Sequence, residues 1–297
     1  MVSRTYLNIS KYSVGIESRV QDINVLLSIE MNDKRMVGII GVGGIGKTTI
    51  AKVIYNLIAY QFEDSCFLAN VRENSKRECG LVQLQETLLS EILGDSSFKI
   101  HNVDQGINFI RQRLCNKRIL LILDDVDQLI QLETLAGDLD WFGLRSRIVI
   151  TTRDEHLLTK HKVDLSYKMN ELDHKEALQL ISRHAFQSDK PNDDFVEVTN
   201  HALRYAGGLP LALTVLGSDL YGRDIYQWKS TLEKYKRIPE NNIHEKLKIS
   251  YDGLEESEKN IFLDIACFFK GQNVEYITKI LDNCGFFPNI GMKVLNG

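Results

Sequence analysis

Read by the spacing of its apolar positions, the chain changes character about halfway along. In the first part short apolar runs alternate with helical stripes, and in the second only the stripes remain. Met36 to Ile40 is a run suited to a buried strand, and the apolar positions that follow, Ile50, Val53, Ile54, Leu57 and Ile58, keep the period of roughly 3.6 residues of a helix with one buried face. Ser65 to Asn70 reads as a second strand. Leu84, Leu88, Leu89 and Ile92 mark a helix closed by Gly94, and Ile107, Ile110 and Leu114 mark another. Arg118 to Leu123 and Arg147 to Thr151 are further strands, the first an unbroken apolar stretch of the kind buried on both faces. Strands alternating with helices predict an α/β domain, a parallel sheet with helices on both faces. A polar lead-in up to Lys34 carries one amphipathic run, Val20, Ile23, Leu26 and Leu27.

After about Leu165 the pattern turns to helices alone. Ala177, Leu180, Ile181, His184 and Ala185 form one stripe, which places His184 in the core; others run through Phe195 to Tyr205, Pro210 to Tyr221, Trp228 to Tyr235, Ile243 to Tyr251 and Ile261 to Phe269. Pro191-Asn192, Gly207-Gly208 and Pro239-Glu240 supply the stops between them. A helical lobe therefore follows the sheet, with a further boundary near Pro239.

Composition narrows the setting. The 297 residues, 43% hydrophobic and 26% charged with only 4 prolines, are those of a globular protein, and a net charge of -4 supplies no global field for a polyanion, so no nucleic acid partner is expected. Cys66, Cys79, Cys115, Cys267 and Cys284 form no C-x-x-C pair, which fits a reducing compartment. The opening residues contain no apolar leader and the longest apolar stretch, Leu209 to Leu216, is far below the roughly 20 residues of a spanning helix. A cytoplasmic protein without a membrane span is the expectation.

Gly41-Val-Gly-Gly-Ile-Gly46-Lys47-Thr48 satisfies G-x-x-x-x-G-K-[ST] between a strand and a helix, the arrangement of a P-loop NTPase. Gly41, Gly43, Gly44, Ile45, Gly46, Lys47, Thr48 and Thr49 form the candidate phosphate-binding set. Glycines turn backbone N–H groups toward phosphate oxygens, Lys47 reaches the β- and γ-phosphates, and Thr48 offers a hydroxyl to Mg²⁺. Gly41, Gly43 and Gly46 also satisfy the dinucleotide pattern G-x-G-x-x-G, but the second strand ends near Asn70 without the acid a ribose requires, and Lys47 and Thr48 would then be idle. The strand Ile119 to Leu123 delivers Asp124 and Asp125 to its C-terminal end, as a Walker B site does. By analogy with related folds, Asp124 holds Mg²⁺ with Thr48, and Asp125 orients the attacking water. Asp125 is a methylene shorter than the glutamate of many fast ATPases, which implies slow hydrolysis. Thr151-Thr152-Arg153 ends another strand and places a cation where a γ-phosphate is sensed. Asn116-Lys117-Arg118-Ile119 lacks the aspartate of a guanine-binding segment, which favours adenine. Arg111, Arg113, Lys117 and Arg118 read as a solvated basic helix end, and the histidines show no metal spacing.

These motifs, in order, resemble the NB-ARC region of plant disease-resistance proteins, specifically its TIR-associated branch. The resemblance runs through Val14-Gly-Ile-Glu-Ser-Arg19, the P-loop, Phe67-Leu-Ala-Asn-Val-Arg-Glu73, Leu123-Asp-Asp-Val-Asp127, Ser146 to Arg153, Leu172 to Phe186, Gly208 to Leu213 and Phe262 to Phe269. Asp127, where the coiled-coil branch has tryptophan, and the segments at Phe67 and Phe262 mark the branch. The resemblance implies a cytoplasmic ADP/ATP switch in defence signalling, with TIR and leucine-rich-repeat regions as neighbours and oligomerisation in the ATP state. It further implies that Val14, Gly15 and Ile16 line the adenine, that Pro210 touches the base or ribose, and that Arg153, with Lys47 and Asp125, serves the reaction. It divides the chain into a lead-in (1–34), a nucleotide-binding domain (35–165), a helical lobe (166–239) and an incomplete winged-helix lobe (240–297). The family's methionine-histidine-aspartate motif has no counterpart before Gly297, so the chain reads as a fragment or truncated member. Two other readings stand beside the switch: a generic P-loop ATPase, and a non-catalytic ADP-binding interaction module.

Overall fold

The computed structural model describes residues 6–9, 11–95, 99–163 and 165–237. The stripes at Ile243 to Tyr251 and Ile261 to Phe269, and the start of a winged-helix lobe, lie outside the described residues. Helix α1 (Ile16–Leu27) leads into β1 (Arg35–Ile40) and α2 (Lys47–Ile58), then β2 (Asp64–Leu68), α3 (Val71–Ser75), α4 (Gly80–Leu93) and α5 (Val103–Leu114). After these come β3 (Ile119–Val126), α6 (Leu129–Leu135), β4 (Arg147–Thr152), α7 (Glu155–Lys160) and β5 (Leu165–Lys168). The strands are all parallel, in the order β2-β3-β4-β1-β5, so the α/β reading holds. Because β4 is inserted between β3 and β1, the C-terminal ends of these three strands are neighbours: Leu123 is in register with Ile150, and Ile40 with Thr152. Ile119 to Asp124 are buried without interruption, as a strand covered on both faces requires.

The sheet extends past the point at which the hydrophobic pattern turns to helices alone. Strand β5 begins at Leu165 and pairs with β1, but its four residues alternate between half-buried and exposed and contain no apolar run. The second strand is also shorter than its sequence suggested. It ends at Leu68, and Asn70, with φ 51°, sits at the N-cap of α3.

Two long-range clamps hold the lead-in. The Asn56 side chain on α2 both accepts from the Leu7 N–H (2.9 Å) and donates to the Leu7 carbonyl (2.8 Å). Arg147, fully buried at the start of β4, donates to the carbonyls of Leu27, Ser28, Met31 and Asp33 and to the Asp33 carboxylate. One guanidinium thus satisfies the connector between α1 and β1, whose carbonyls have no helical or sheet partner there. The basic helix end is likewise engaged: Lys117 pairs with Asp64 at 2.7 Å, Arg111 lies over the Trp141 ring and Arg118 over that of Phe62.

The chain divides into two compact units, Met1–Gly41 with Ile45–Asn170, and Val42–Gly44 with Glu171–Gly297. The described part of the second unit has four α-helices, α8 (His174–Ala185), α9 (Val196–Ala206), α10 (Pro210–Leu220) and α11 (Ile225–Arg237). Asp173 and Glu176 form a capping box on α8, Gly207 closes α9, and Pro210 opens α10 at its first turn, where its missing N–H costs nothing. Phe186, Phe195 and Trp228 pack ring on ring with centroids 5.2–5.4 Å apart. His184 is half-buried, not in the core, and its Nδ1 lies 3.2 Å from the Ser218 hydroxyl.

Candidate nucleotide site

The loop Gly41–Gly46 runs from the end of β1 into the first turn of α2. Gly44 (φ 80°) and Gly46 (φ 101°) occupy the left-handed region that side chains disfavour, which is why the turn needs glycine at these positions. Gly46 is the N-cap of α2 and no side chain caps the helix, an arrangement that leaves the helix start suited to an anion. Lys47 follows at once. Its side chain is buried and its ammonium donates to the Gly41 carbonyl at 2.5 Å. Burial, and next the neighbouring Arg153, lower its pKa to about 8, against the opposing pull of Asp125 and Asp124.

Across from Lys47, the end of β3 carries the two acids on a bulge. The β3–β4 register slips between Leu123 and Val126, and Asp125 takes φ 57°. Asp124 is fully buried and accepts from the Thr48 hydroxyl (2.9 Å), the Thr151 hydroxyl (2.7 Å) and the Asn70 backbone N–H. Burial nevertheless raises its pKa, since these bonds only offset part of the desolvation. Thr151 also accepts from the Asp125 N–H at 2.8 Å, so it ties the two acids to β4. Asp125 has a different neighbour, Arg153, whose Nε lies 3.8 Å from its carboxylate. That Nε is buried and makes no hydrogen bond among the described residues; burial lowers the Arg153 pKa.

Beyond Asp125 lies a second arginine that sequence reasoning did not single out. Arg72, in the first turn of α3 and 4% exposed, places its Nε 3.4 Å from Asp127. Asp127 in turn accepts from the Gln131 amide (2.7 Å), which also donates to the Ser75 hydroxyl (2.8 Å), while the Gln131 carbonyl oxygen accepts from the Asp127 N–H (2.9 Å). Two segments recognised separately as branch signatures, Phe67 to Glu73 and Leu123 to Asp127, therefore meet in one ion pair.

The structure thus brings together Lys47, Thr48, Asp124, Asp125 and Arg153. The other predicted residues lie elsewhere on their elements. Val14 is buried just before α1, Gly15 caps that helix with φ 67°, Ile16 begins it, and Pro210 begins α10. Thr48 and Asp124 supply a hydroxyl and a carboxylate, hard oxygen donors that suit Mg²⁺. Among the described residues no group of three or more His, Cys, Asp or Glu is arranged to hold a metal.

Comparison with known proteins shows the family of the chain. The NB-ARC domain family matches residues 16–191, and a second description, disease resistance protein Roq1-like, winged-helix domain, matches residues 255–296. The chain is 46% identical to disease resistance protein RPV1 of Vitis rotundifolia over 98% of its length, and 43% identical to TMV resistance protein N of Nicotiana glutinosa over 95%. It spans only 21% and 25% of those two proteins. Among solved structures, the ORC1 protein of Aeropyrum pernix in complex with DNA aligns over 93% of this chain and 80% of its own, with a TM-score of 0.50 at 12% identity, a likeness of fold alone.

Proposed function

The chain belongs to the NB-ARC family, and from that premise we propose that it is the nucleotide-binding module of a plant immune receptor, an ADP/ATP switch whose output is conformation. The observation that carries this reading is the joint placement of Lys47, Thr48, Asp124, Asp125 and Arg153 at the adjoining ends of β1, β3 and β4. Lys47 releases the Gly41 carbonyl and takes the β- and γ-phosphates. The loop N–H groups from Gly43 to Thr49 cradle the phosphates at the start of α2. Thr48 and Asp124 would hold Mg²⁺, which when bound neutralises phosphate charge. Asp125 orients the attacking water, and Arg153 exchanges the Asp125 carboxylate for the γ-phosphate. Hydrolysis is slow, because the Asp125 side chain is a methylene shorter than the glutamate of many fast ATPases. The adenine segment Val14, Gly15 and Ile16 completes the site. The family membership supports a cytoplasmic signalling role alongside TIR and leucine-rich-repeat regions, with self-association in the ATP state.

The test is a thermal melt. ADP at about 100 times its dissociation constant should stabilise the chain by about 2.7 kcal/mol, and Lys47→Ala should abolish the shift. A wild-type melt that does not move with saturating ADP would sink the proposal, and GTP displacing labelled ADP as well as ATP does would overturn the adenine assignment. Fast steady-state turnover would favour a generic ATPase, and binding without any turnover an interaction module.

A further inference from the structure

We propose that Arg72 is a positioning residue for the γ-phosphate sensor: anchored on Asp127, it keeps that carboxylate occupied and so leaves Arg153 on the Asp125 side of the site, setting the preference for triphosphate over diphosphate. The inference rests on the reading of Arg153 as the sensor.

The geometry runs as a chain of commitments. Asp127 is claimed on one oxygen by the Gln131 amide at 2.7 Å and on the other by Arg72 at 3.4 Å. Gln131 is itself fixed, bonded to Ser75 and to the Asp127 N–H. Arg72 is nearly sealed from water, so its charge is not free to wander and its pairing with Asp127 is not screened away. Arg153 lies farther from its acid than Arg72 does from Asp127. Its contact with Asp125 is 3.8 Å, beyond hydrogen-bond length, and its buried Nε has no hydrogen-bond partner among the described residues. A group held so loosely can be exchanged for a phosphate oxygen at little cost.

What keeps Arg153 from settling on Asp127 is Arg72. Besides burial, which disfavours the charged form of Arg153, three groups act on it: Asp125 and Asp127 favour that form, and Arg72 opposes it. Remove the Arg72 charge and Asp127 becomes a half-buried carboxylate without its cation, with Arg153 the neighbouring candidate to replace it. An Arg153 drawn to Asp127 leaves the γ-phosphate position, while contacts to the β-phosphate through Lys47 and the loop persist. The loss therefore falls on triphosphate affinity.

The experiment is a double-mutant cycle read as the ratio of dissociation constants for ADP and a non-hydrolysable ATP analogue, both with magnesium, on purified chain. Arg72→Gln should lower the preference for the ATP analogue about tenfold with ADP affinity unchanged. Asp127→Asn keeps a partner for Gln131 and, added to Arg72→Gln, should restore the ratio, because no rival carboxylate remains. This non-additivity is the signature of positioning; two charges acting independently would add. Additive effects, or an Arg72→Gln variant whose ratio equals wild type, would overturn the proposal. Arg153→Gln separates the two levels: if it lowers the ratio while Arg72→Gln does not, only the positioning role fails, and if it leaves the ratio unchanged, the sensor assignment fails and the positioning role with it. Should Arg72→Gln not fold, Arg72→Met, which keeps a long side chain in the buried position without the charge, runs the same cycle with the same criterion of non-additivity.

Discussion

Asp124 and Asp125 are adjacent and chemically identical, yet the fold gives them opposite surroundings. Asp124 accepts from Thr48, Thr151 and the Asn70 N–H, so it belongs to the framework as well as to the proposed metal position. Asp125 contributes little to that framework and sits with φ 57°, a left-handed conformation that costs most residues roughly 1–2 kcal/mol. Asp125→Gly should therefore slow ATP hydrolysis while leaving the melting temperature equal to or above that of wild type and ADP affinity unchanged, and a melt beside a single-turnover assay checks both. A variant that melts markedly lower would show that the carboxylate holds the bulge together. Lys47 carries a second residue-scale consequence. Its pKa is lowered from 10.5 to about 8, so between these values the folded chain binds fewer protons here than the unfolded chain. The burden of burying the ammonium is fully present below about pH 8 and is relieved as pH rises toward 10.5, so this group makes stability increase with pH across that window. Phosphate binding runs the other way, because only the ammonium attracts phosphate. In magnesium-free buffer, ADP affinity should fall above about pH 8, by up to roughly tenfold per unit, with proton uptake on binding. Calorimetry in buffers of different ionisation enthalpy measures this, and an affinity flat from pH 7 to 9.5 would contradict it.

Among the elements, α3 is the one whose placement matters out of proportion to its five residues, since it brings Arg72 to the end of β3. Gly80 is the reason it fits. A Cβ there would lie 2.1 Å from the Asn74 carbonyl oxygen and 2.9 Å from the backbone of Ser75, atoms that yield only if α3 itself moves. Gly80→Ala should cost roughly 1–3 kcal/mol and lower the preference for the ATP analogue in the same sense as Arg72→Gln, which denaturant melts and the same binding ratio report. No change in either would show that α3 shifts without consequence. The contrast with β3 explains what could be read in advance. Strand β3 announces itself because five successive buried positions, Ile119 to Leu123, form an unbroken apolar run, and the P-loop because its glycines, lysine and threonine are contiguous. Strand β5 and α3 carry no such mark. Each is too short to show a period, and each is held by what it packs on: β5 by the edge of β1, α3 by α4 and the end of β3. For the same reason Lys47, Thr48, Asp124, Asp125 and Arg153 were legible as single positions at strand ends, whereas Thr151 as the tie between the acids, and Arg72 as the partner of Asp127, depend on side chains meeting across elements distant in the chain.

At the scale of the whole molecule, the sheet unit is assembled from pieces far apart in sequence, and the Arg147 guanidinium is one of the places where such distances are closed. Its bond to the Leu27 carbonyl joins residues 120 apart, and that to Ser28 joins residues 119 apart. A chain emerging from the ribosome at roughly 5–20 residues per second makes α1 and its connector on the order of ten seconds before Arg147 exists to receive them. During that interval the Leu27 carbonyl lacks the guanidinium that it meets in the folded chain, and of the elements on which α1 packs, α2 and β1 have been made and β5 has not. The lead-in helix, first of the described helices to be synthesised, therefore gains its Arg147 clamp only once β4 has been made, and its contacts with β5 later still.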